Sequence, residues 1–284
     1  MTPRIVAIVQ ARMNSTRLPG KVLLEIRGEP MLWRVVQRTS RSALVEQVLV
    51  ATTTDATDDA LYSYCSSHSL PCWRGSQYDV LDRYYQAARA SKAEIVVRIT
   101  ADCPLVDREL VDETIQTLLG DPGSQSPSSA AGQTDFDFAA NRLPPPWPRT
   151  YPIGLDTEVC TFSALERAWR EASEPPEREH VMPYMYEAVR LEPARPLVSA
   201  GKSPHGFRVA LLDSAKDYGM YRWTVDTAED LEFVRQVYSY FGERQDFSWK
   251  DVLALVESHP ALMQINSSVK HKSLRDVDQR ARGN

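Results

Sequence analysis

Apolar and polar positions alternate between two regimes along this chain. RIVAIVQ (4–10) is a short β-branched run with apolar residues on both faces, the pattern of a strand buried on both sides, and a polar, turn-rich run, QARMNSTRLPGK (10–21), follows it directly. PMLWRVVQRTSRS (30–42) switches to helical spacing, with Met31, Leu32, Val35 and Val36 on one face. The same switching predicts strands over 47–53, 70–75 and 93–100, and helices over 57–68, 80–91 and 107–119. The first of these helices opens on a cap-like Thr57 with Asp58 and Asp59 in its first turn. Strand and helix in regular succession predict an α/β fold, a largely parallel sheet covered on both faces by helices.

The pattern changes after residue 119. Residues 120–134 are rich in Gly, Ser and Pro and read as a mobile surface loop. Strands follow over 135–141 and 155–161, with an extended connection over 143–152 between them. A helix is expected over 162–172, where Ser163 is the cap signal, and a shorter one over 180–189. Residues 191–212 fit either an extended arm or a hairpin, after which 221–227 reads as a core strand and 228–241 as a helix. Beyond about residue 260 the pattern thins to polar and charged positions. The expected organisation is therefore one domain over 1–260, with 135–220 as its second part, and a frayed tail over 261–284.

Composition narrows the function classes. A chain of 284 residues with 43% apolar residues buries a large core. The net charge of −5 supplies no global field for nucleic acid or an anionic membrane, so any phosphate binding has to be local. Cys65, Cys72, Cys103 and Cys160 show no C-x-x-C pairing, and their scatter fits reduced thiols better than a disulfide frame or a zinc site. No stretch approaches the roughly 18 uninterrupted apolar residues of a membrane span, so a soluble cytoplasmic protein is expected.

The local concentration of charge lies in the first loop. Arg12, Arg17 and Lys21 share one turn-rich segment with Asn14, Ser15, Pro19 and Gly20 at the carboxyl end of the first strand, where open α/β sheets bind ligands. That grouping suits wrapping cations and backbone amides around a polyphosphate at a solvent-facing strand mouth; the plainer alternative is a solvated basic loop. It is not a Walker A loop, because Val22 follows Gly20-Lys21 and Ser15 stands where the first glycine belongs, and it is not a dinucleotide G-x-G-x-x-G. Cations on a triphosphate call for a metal and its carboxylates. Asp102 stands just past the strongest strand and before Pro104, and Asp226 stands where the 221–227 strand gives way to a helix. Singly, Asp102 reads equally as a turn residue, and Asp226 as a helix N-cap with Glu229 at capping-box spacing. Together, two carboxylates at two strand ends match what Mg2+ takes besides substrate phosphates.

These segments resemble the signatures of nucleotidyltransferases of the CMP-KDO synthetase and acylneuraminate cytidylyltransferase superfamily, and within it the spore coat polysaccharide biosynthesis protein F family most of all. QARMNSTRLPGK resembles the triphosphate loop, RITADCPLVD (98–107) the strand-end acidic motif, and VDTAEDLE (225–232) the "VDTPEDLE" element with Ala228 replacing proline. RGSQYDVLDRYYQAA (74–88) resembles a third element, a loop entering a helix; YPIGLDTEV (151–159) and REHVMPYMY (178–186) resemble segments facing the second substrate. The resemblance implies a Rossmann-like nucleotide-diphospho-sugar transferase fold with a mostly parallel mixed sheet, and an insert within the second part that builds a homodimer. It implies transfer of CMP from CTP to an acidic sugar or a related acceptor, with Mg2+ held by Asp102 and Asp226.

On the same resemblance Arg12, Lys21 and Asp102 carry the chemistry, and Gln10, Ala11, Arg12, Arg17, Lys21, Arg74, Gly75, Ser76 and Asp82 bind the nucleotide. Asn141, Asp156, Glu158, Arg178 and His180 bind the acceptor. The other reading of Asp82 and Arg83 is a solvated helix face, and of His180 a structural residue entering a helix. Two departures stand out: the family's arginine in "YPRGLD" is Ile153 here, and Asp102 is followed by Cys103, so there is no D-x-D. The missing second carboxylate counts against a nucleotide-sugar glycosyltransferase, the rival enzyme class. A catalytically silent nucleotide-binding subunit is the rival outside enzymes, disfavoured by the presence of both aspartates and all three loop cations.

Overall fold

A computed structural model of the protein describes residues 3–120 and 134–269. Most of the predicted 120–134 loop and the tail from 270 onward lie outside the described residues. In chain order the elements are β1 (Ile5–Gln10), the two-residue strands β2 (Glu25–Ile26) and β3 (Glu29–Pro30), α1 (Met31–Thr39), β4 (Gln47–Thr53), α2 (Asp59–Ser67), β5 (Cys72–Gly75), α3 (Val80–Ala90), β6 (Ile95–Thr100) and α4 (Arg108–Leu119). There follow β7 (Phe138–Ala140), β8 (Glu158–Thr161), α5 (Phe162–Glu171), α6 (Pro175–His180), α7 (Pro183–Tyr186), β9 (Glu192–Arg195), β10 (Val198–Lys202) and β11 (Arg208–Leu212). Three helices close the described chain: α8 (Ala228–Phe241), α9 (Trp249–Ser258) and α10 (Ala261–Gln264).

One nine-stranded mixed sheet runs in the order β5-β4-β1-β6-β8-β7-β11-β10-β9. Its first four strands are parallel, as the alternating strand and helix pattern predicts. Beyond β6 it turns antiparallel through β8, and the segment that fits an arm or a hairpin proves to be the β9–β10 hairpin, which extends this same sheet through β11. Alternate β1 residues serve two cores. Ile5, Ala7 and Val9 pack with α1, α2, α4, α8 and α9, while Val6 and Ile8 pack with α3, α5 and α7, so helices cover both faces. Gln10 at the end of β1 pairs with Ala51 and Thr100, which brings the loops after β1, β4 and β6 out side by side.

Several elements differ from the sequence pattern. Residues 221–227 form no strand: the segment makes one isolated bridge, Arg222 to Ile153, and its amides bond to loops, Trp223 N to Ile153 O at 2.7 Å and Val225 N to Asp102 O at 2.8 Å. Its apolar residues are apolar because the core buries Trp223 and Val225, not because a ladder does. The cap of α5 is Thr161 rather than Ser163, and Asp55, not Thr57, caps the short turn leading into α2. The expected tail begins too early, since α10 packs Leu262, Met263 and Ile265 against the core and Asn266 is buried. No helix among the described residues is long and apolar enough to cross a membrane.

Candidate active site

The loop after β1 folds back on itself. Met13 O accepts the amides of both Ser15 and Gly20, and Gly20 takes φ 70°, a left-handed turn that glycine adopts without steric cost. Asp58 anchors the loop from below by accepting the Met13 amide at 2.7 Å. Lys21 is thereby returned to the sheet edge, and it is buried there rather than solvent-facing as its sequence position suggested. Its ammonium donates to Asp102 Oδ2 at 3.0 Å, Asp226 Oδ1 at 3.0 Å and the Val225 carbonyl at 2.7 Å, which uses all three of its protons. Burial alone would lower the Lys21 pKa, but the two carboxylates outweigh it and hold it above its ordinary value.

Asp102 and Asp226 come from opposite ends of the chain and are locked together by backbone. The Asp102 carbonyl accepts both the Val225 amide at 2.8 Å and the Thr224 hydroxyl at 3.1 Å. Asp226 is not the cap of α8. Thr227 is, in a capping box with Asp230. The Asp226 carboxylate is therefore released from helix duty and takes Lys21, Arg17 at 2.7 Å and Arg222 at 2.9 Å. Burial opposes its ionisation, yet these three cations pull its pKa down to about 2. Arg222 is itself fixed by the fully buried Asp230, with Nε and Nη2 both at 2.9 Å from its carboxylate.

Two hard carboxylates converging on one cation form a donor set that fits Mg2+. Among the described residues no group of three or more His, Cys, Asp or Glu could hold a metal. Asp102 and Asp226 are the residues that would hold Mg2+.

The third sequence element lies at the neighbouring strand mouths, with its side chains engaged in the protein. Arg74 donates to Thr53 O and Asp55 O and pairs with Asp59 at 2.8 Å. Ser76 Oγ accepts the Asp79 amide, and Asp82, far from the phosphate loop's cations in its bonding, accepts Trp169 Nε1 at 2.9 Å and so ties α3 to α5. Neighbouring Arg83 is no part of a solvated face: it is fully buried. Gln10 accepts a long bond from Arg98 at 3.4 Å, and Ala11 is buried at the β1 exit.

The structure separates the expected acceptor residues by role. Glu158 is paired with half-buried Arg98 on the neighbouring strand β6. Arg178 forks onto Asp79, the cap of α3, with Nε at 3.1 Å from both carboxylate oxygens, and so ties α6 to α3. Asn141 clamps the following segment, donating to Leu155 O and accepting the Thr157 amide, both at 2.8 Å. His180 ends α6, half-buried. Asp156 lies near Cys103: burial first, then the carboxylates of Asp102 and Asp156, push that thiol up. Asp156 pairs with both Nη groups of Arg149, and Arg149 lines a cavity of about 280 Å³ with Asp217, Gly219 and Met220. Arg149, Arg222 and Asp230 were not singled out from sequence. Only the i, i+4 spacing of Arg222 and Asp226 hinted at one of them.

A mixed α/β sheet with a buried lysine and two carboxylates converging at its mouth is the arrangement of a phosphoryl-group enzyme of the nucleotidyltransferase kind. Comparison with known proteins narrows this: the chain matches the cytidylyltransferase family over residues 6–250 and belongs to it, and so is a nucleotidyltransferase. It is 33% identical over 261 residues to the spore coat polysaccharide biosynthesis protein SpsF of Bacillus subtilis, covering 90% of this chain and 95% of that one. It is 34% identical over 121 residues to the 3-deoxy-manno-octulosonate cytidylyltransferase of Trichlorobacter lovleyi, a match over 42% of this chain and 47% of that enzyme. The solved structure of a cytidylyltransferase from Leptospira borgpetersenii superposes with a TM-score of 0.76 at 30% identity, covering 95% of this chain and all of the other.

Proposed function

We propose that the protein transfers CMP from CTP to an acidic sugar or a related hydroxyl or phosphonate acceptor, releasing pyrophosphate, in the biosynthesis of a surface polysaccharide or glycoconjugate. The observation that carries this reading is the Lys21 ammonium bridging Asp102 and Asp226 beside Arg17. The names of the related spore coat protein and octulosonate cytidylyltransferase support the acceptor class and the pathway.

The reaction is attack of an acceptor oxygen on the α-phosphorus, and its obstacle is charge. Bound Mg2+ would supply charge neutralisation on the phosphate oxygens. The chain's own contribution is positional. Arg12, Arg17 and Lys21 hold the departing pyrophosphate, and the Arg222–Asp230 pair keeps Asp226 aimed at the site. The acceptor occupies the cavity beside Arg149, with Asp156 oriented by Asn141's clamp on its two neighbours. The protein works in the cytoplasm, where free Cys65, Cys72, Cys103 and Cys160 stay reduced, and as a homodimer.

The test is pyrophosphate release from each of the four nucleoside triphosphates with Mg2+, against a panel of acidic sugars and phosphonates. Release from CTP only when an acceptor is present is the expected result. Release of a nucleoside mono- or diphosphate from a nucleotide sugar, with no pyrophosphate, would replace this reading with glycosyl transfer.

A further inference from the structure

Arg83 is the least satisfied charged group in the described protein. It lies on α3 with no exposed surface, and only Nη1 has a partner, the Ser76 carbonyl at 2.6 Å. Nε and Nη2 are buried with no hydrogen-bond partner among the described residues. Those two nitrogens share one edge of the guanidinium, so the unsatisfied donors are parallel and form a two-pronged fork. Burial, with the nearby positive charge of Arg12 adding to it, lowers the Arg83 pKa to about 10, against the pull of Asp58 and Asp79. A buried unpaired cation costs several kcal/mol in general, and a chain retains one where the strain serves a site.

The surroundings place Arg83 beside the end of β5. Gly75, the last residue of β5, runs so close that a Cβ there would sit 3.0 Å from Arg83 Cγ. The Ser76 to Asp79 turn closes over the Nη1 side through the Ser76 carbonyl and through the Asp79 amide bonded to Ser76 Oγ. Arg12 belongs to the triphosphate loop, whose amide at Met13 is held by Asp58. Arg83 thus lies between the loop that carries Arg12 and the β5 turn.

We propose that the Nε and Nη2 edge of Arg83 reads the base of the nucleotide, donating to the adjacent acceptors N3 and O2 of cytosine. This rests on the transferase reading above. A donor pair matches cytosine, whereas uracil places an N–H at position 3 and sets donor against donor. A neutral base edge also suits a site with the carboxylates of Asp58 and Asp79 nearby, where a phosphate would be repelled. Because the guanidinium is sealed, the base engages it only when the Ser76–Asp79 turn or the Arg12 side chain gives way.

The experiment is binding, not turnover: calorimetric titration of CTP, UTP, GTP and ribose 5-triphosphate with Mg2+ into the wild-type chain, Arg83→Met and Arg83→Lys, with a thermal melt of each. The wild type should favour CTP over UTP by about tenfold or more, the worth of one bidentate pair. Arg83→Met should bring CTP down to the UTP level while leaving UTP and ribose 5-triphosphate within about threefold of wild type. Its melting temperature should hold or rise, because a buried unsatisfied charge is gone. Arg83→Lys keeps the charge and loses the fork, so it should lose the CTP preference too. Equal wild-type binding of CTP and UTP, or of CTP and GTP, would overturn the assignment even if neither variant folds. So would a loss in Arg83→Met shared by all four ligands, which marks a phosphate or fold role. No binding of any triphosphate by the wild type would instead overturn the transferase reading itself.

Discussion

Lys21 does two jobs, and they separate under mutation. Its ammonium neutralises two carboxylates that otherwise face each other, and it supplies charge to a triphosphate. Lys21→Ala should therefore cut turnover by about two to three orders of magnitude and also destabilise the fold by about 2 kcal/mol, because it leaves the half-buried Asp102 and Asp226 carboxylates facing each other without their shared ammonium. Asp102→Asn should lose turnover to a similar degree with a much smaller change in a urea melt, since Asp226 still partners the ammonium. Equal destabilisation by both would show that the ion pairs are structural only. Asp82 gives the opposite test. Its carboxylate is committed to Trp169 and Gln86, so Asp82→Asn should leave CTP affinity within about twofold and cost about 1 kcal/mol of stability, read by titration and melt together.

Helices α8 and α9 each begin with a capping box, Thr227 with Asp230 and Ser248 with Asp251. In α9 the Ser248 amide holds the Asp251 carboxyl below its ordinary pKa, with the Ser248 hydroxyl and Arg244 adding to it. The folded value lies below the unfolded one, so this stabilisation is complete above about pH 4 and is lost as pH falls below it. Asp251→Ala should cost about 1 kcal/mol at neutral pH, and the gap to wild type should close as acid denaturation is followed downward from pH 4. Both boxes are legible in the residue spacing, though the sequence reading offered Asp226 as the alternative cap of α8 where Thr227 holds that place. The four parallel strands were legible because burial on both faces leaves unbroken apolar runs such as IVAIVQ. The partners of β7 and β8 were not, because strands of 3 and 4 residues carry too little pattern to choose a neighbour. Likewise Asp102 could be read at the end of a strand and Asp226 ahead of a helix, but Arg178 on Asp79 pairs residues 99 positions apart, which no local spacing encodes. That pair fastens α6 to α3.

The sheet sets the loop after β1 and the Asp156–Arg149 pair on either side of β6, and the chain returns to lock the junction. β1, β4 and β5 bring the phosphate loop and the Arg83 turn to one side, while β8 and the 143–157 connection bring Asp156 and Arg149 to the other. The segment from Tyr221 to Asp226 crosses between them, bonded to Ile153 and to Asp102. The end of the described chain then holds this crossing in place: Asn266 Nδ2 donates to Arg222 O and to Asp230 Oδ1, both at 3.0 Å. Asp230 fixes Arg222, Arg222 fixes Asp226, and Asp226 meets Lys21, 205 positions earlier, so the site depends on Asn266, a residue beyond the expected domain end. A chain ending at residue 260 should consequently be less stable than one ending at 269 by about 1–3 kcal/mol, the cost of leaving a buried charged pair short of a partner. It should also turn over more slowly, with the larger effect on kcat than on the KM for CTP, since the phosphate-loop cations remain while the Asp226 carboxylate loses its bracing. Asn266→Ala in the full chain should reproduce the kcat change with a smaller loss of stability. Equal rates for the 260 and 269 chains would show that the Arg222–Asp230 pair braces Asp226 without help from the C-terminal helix.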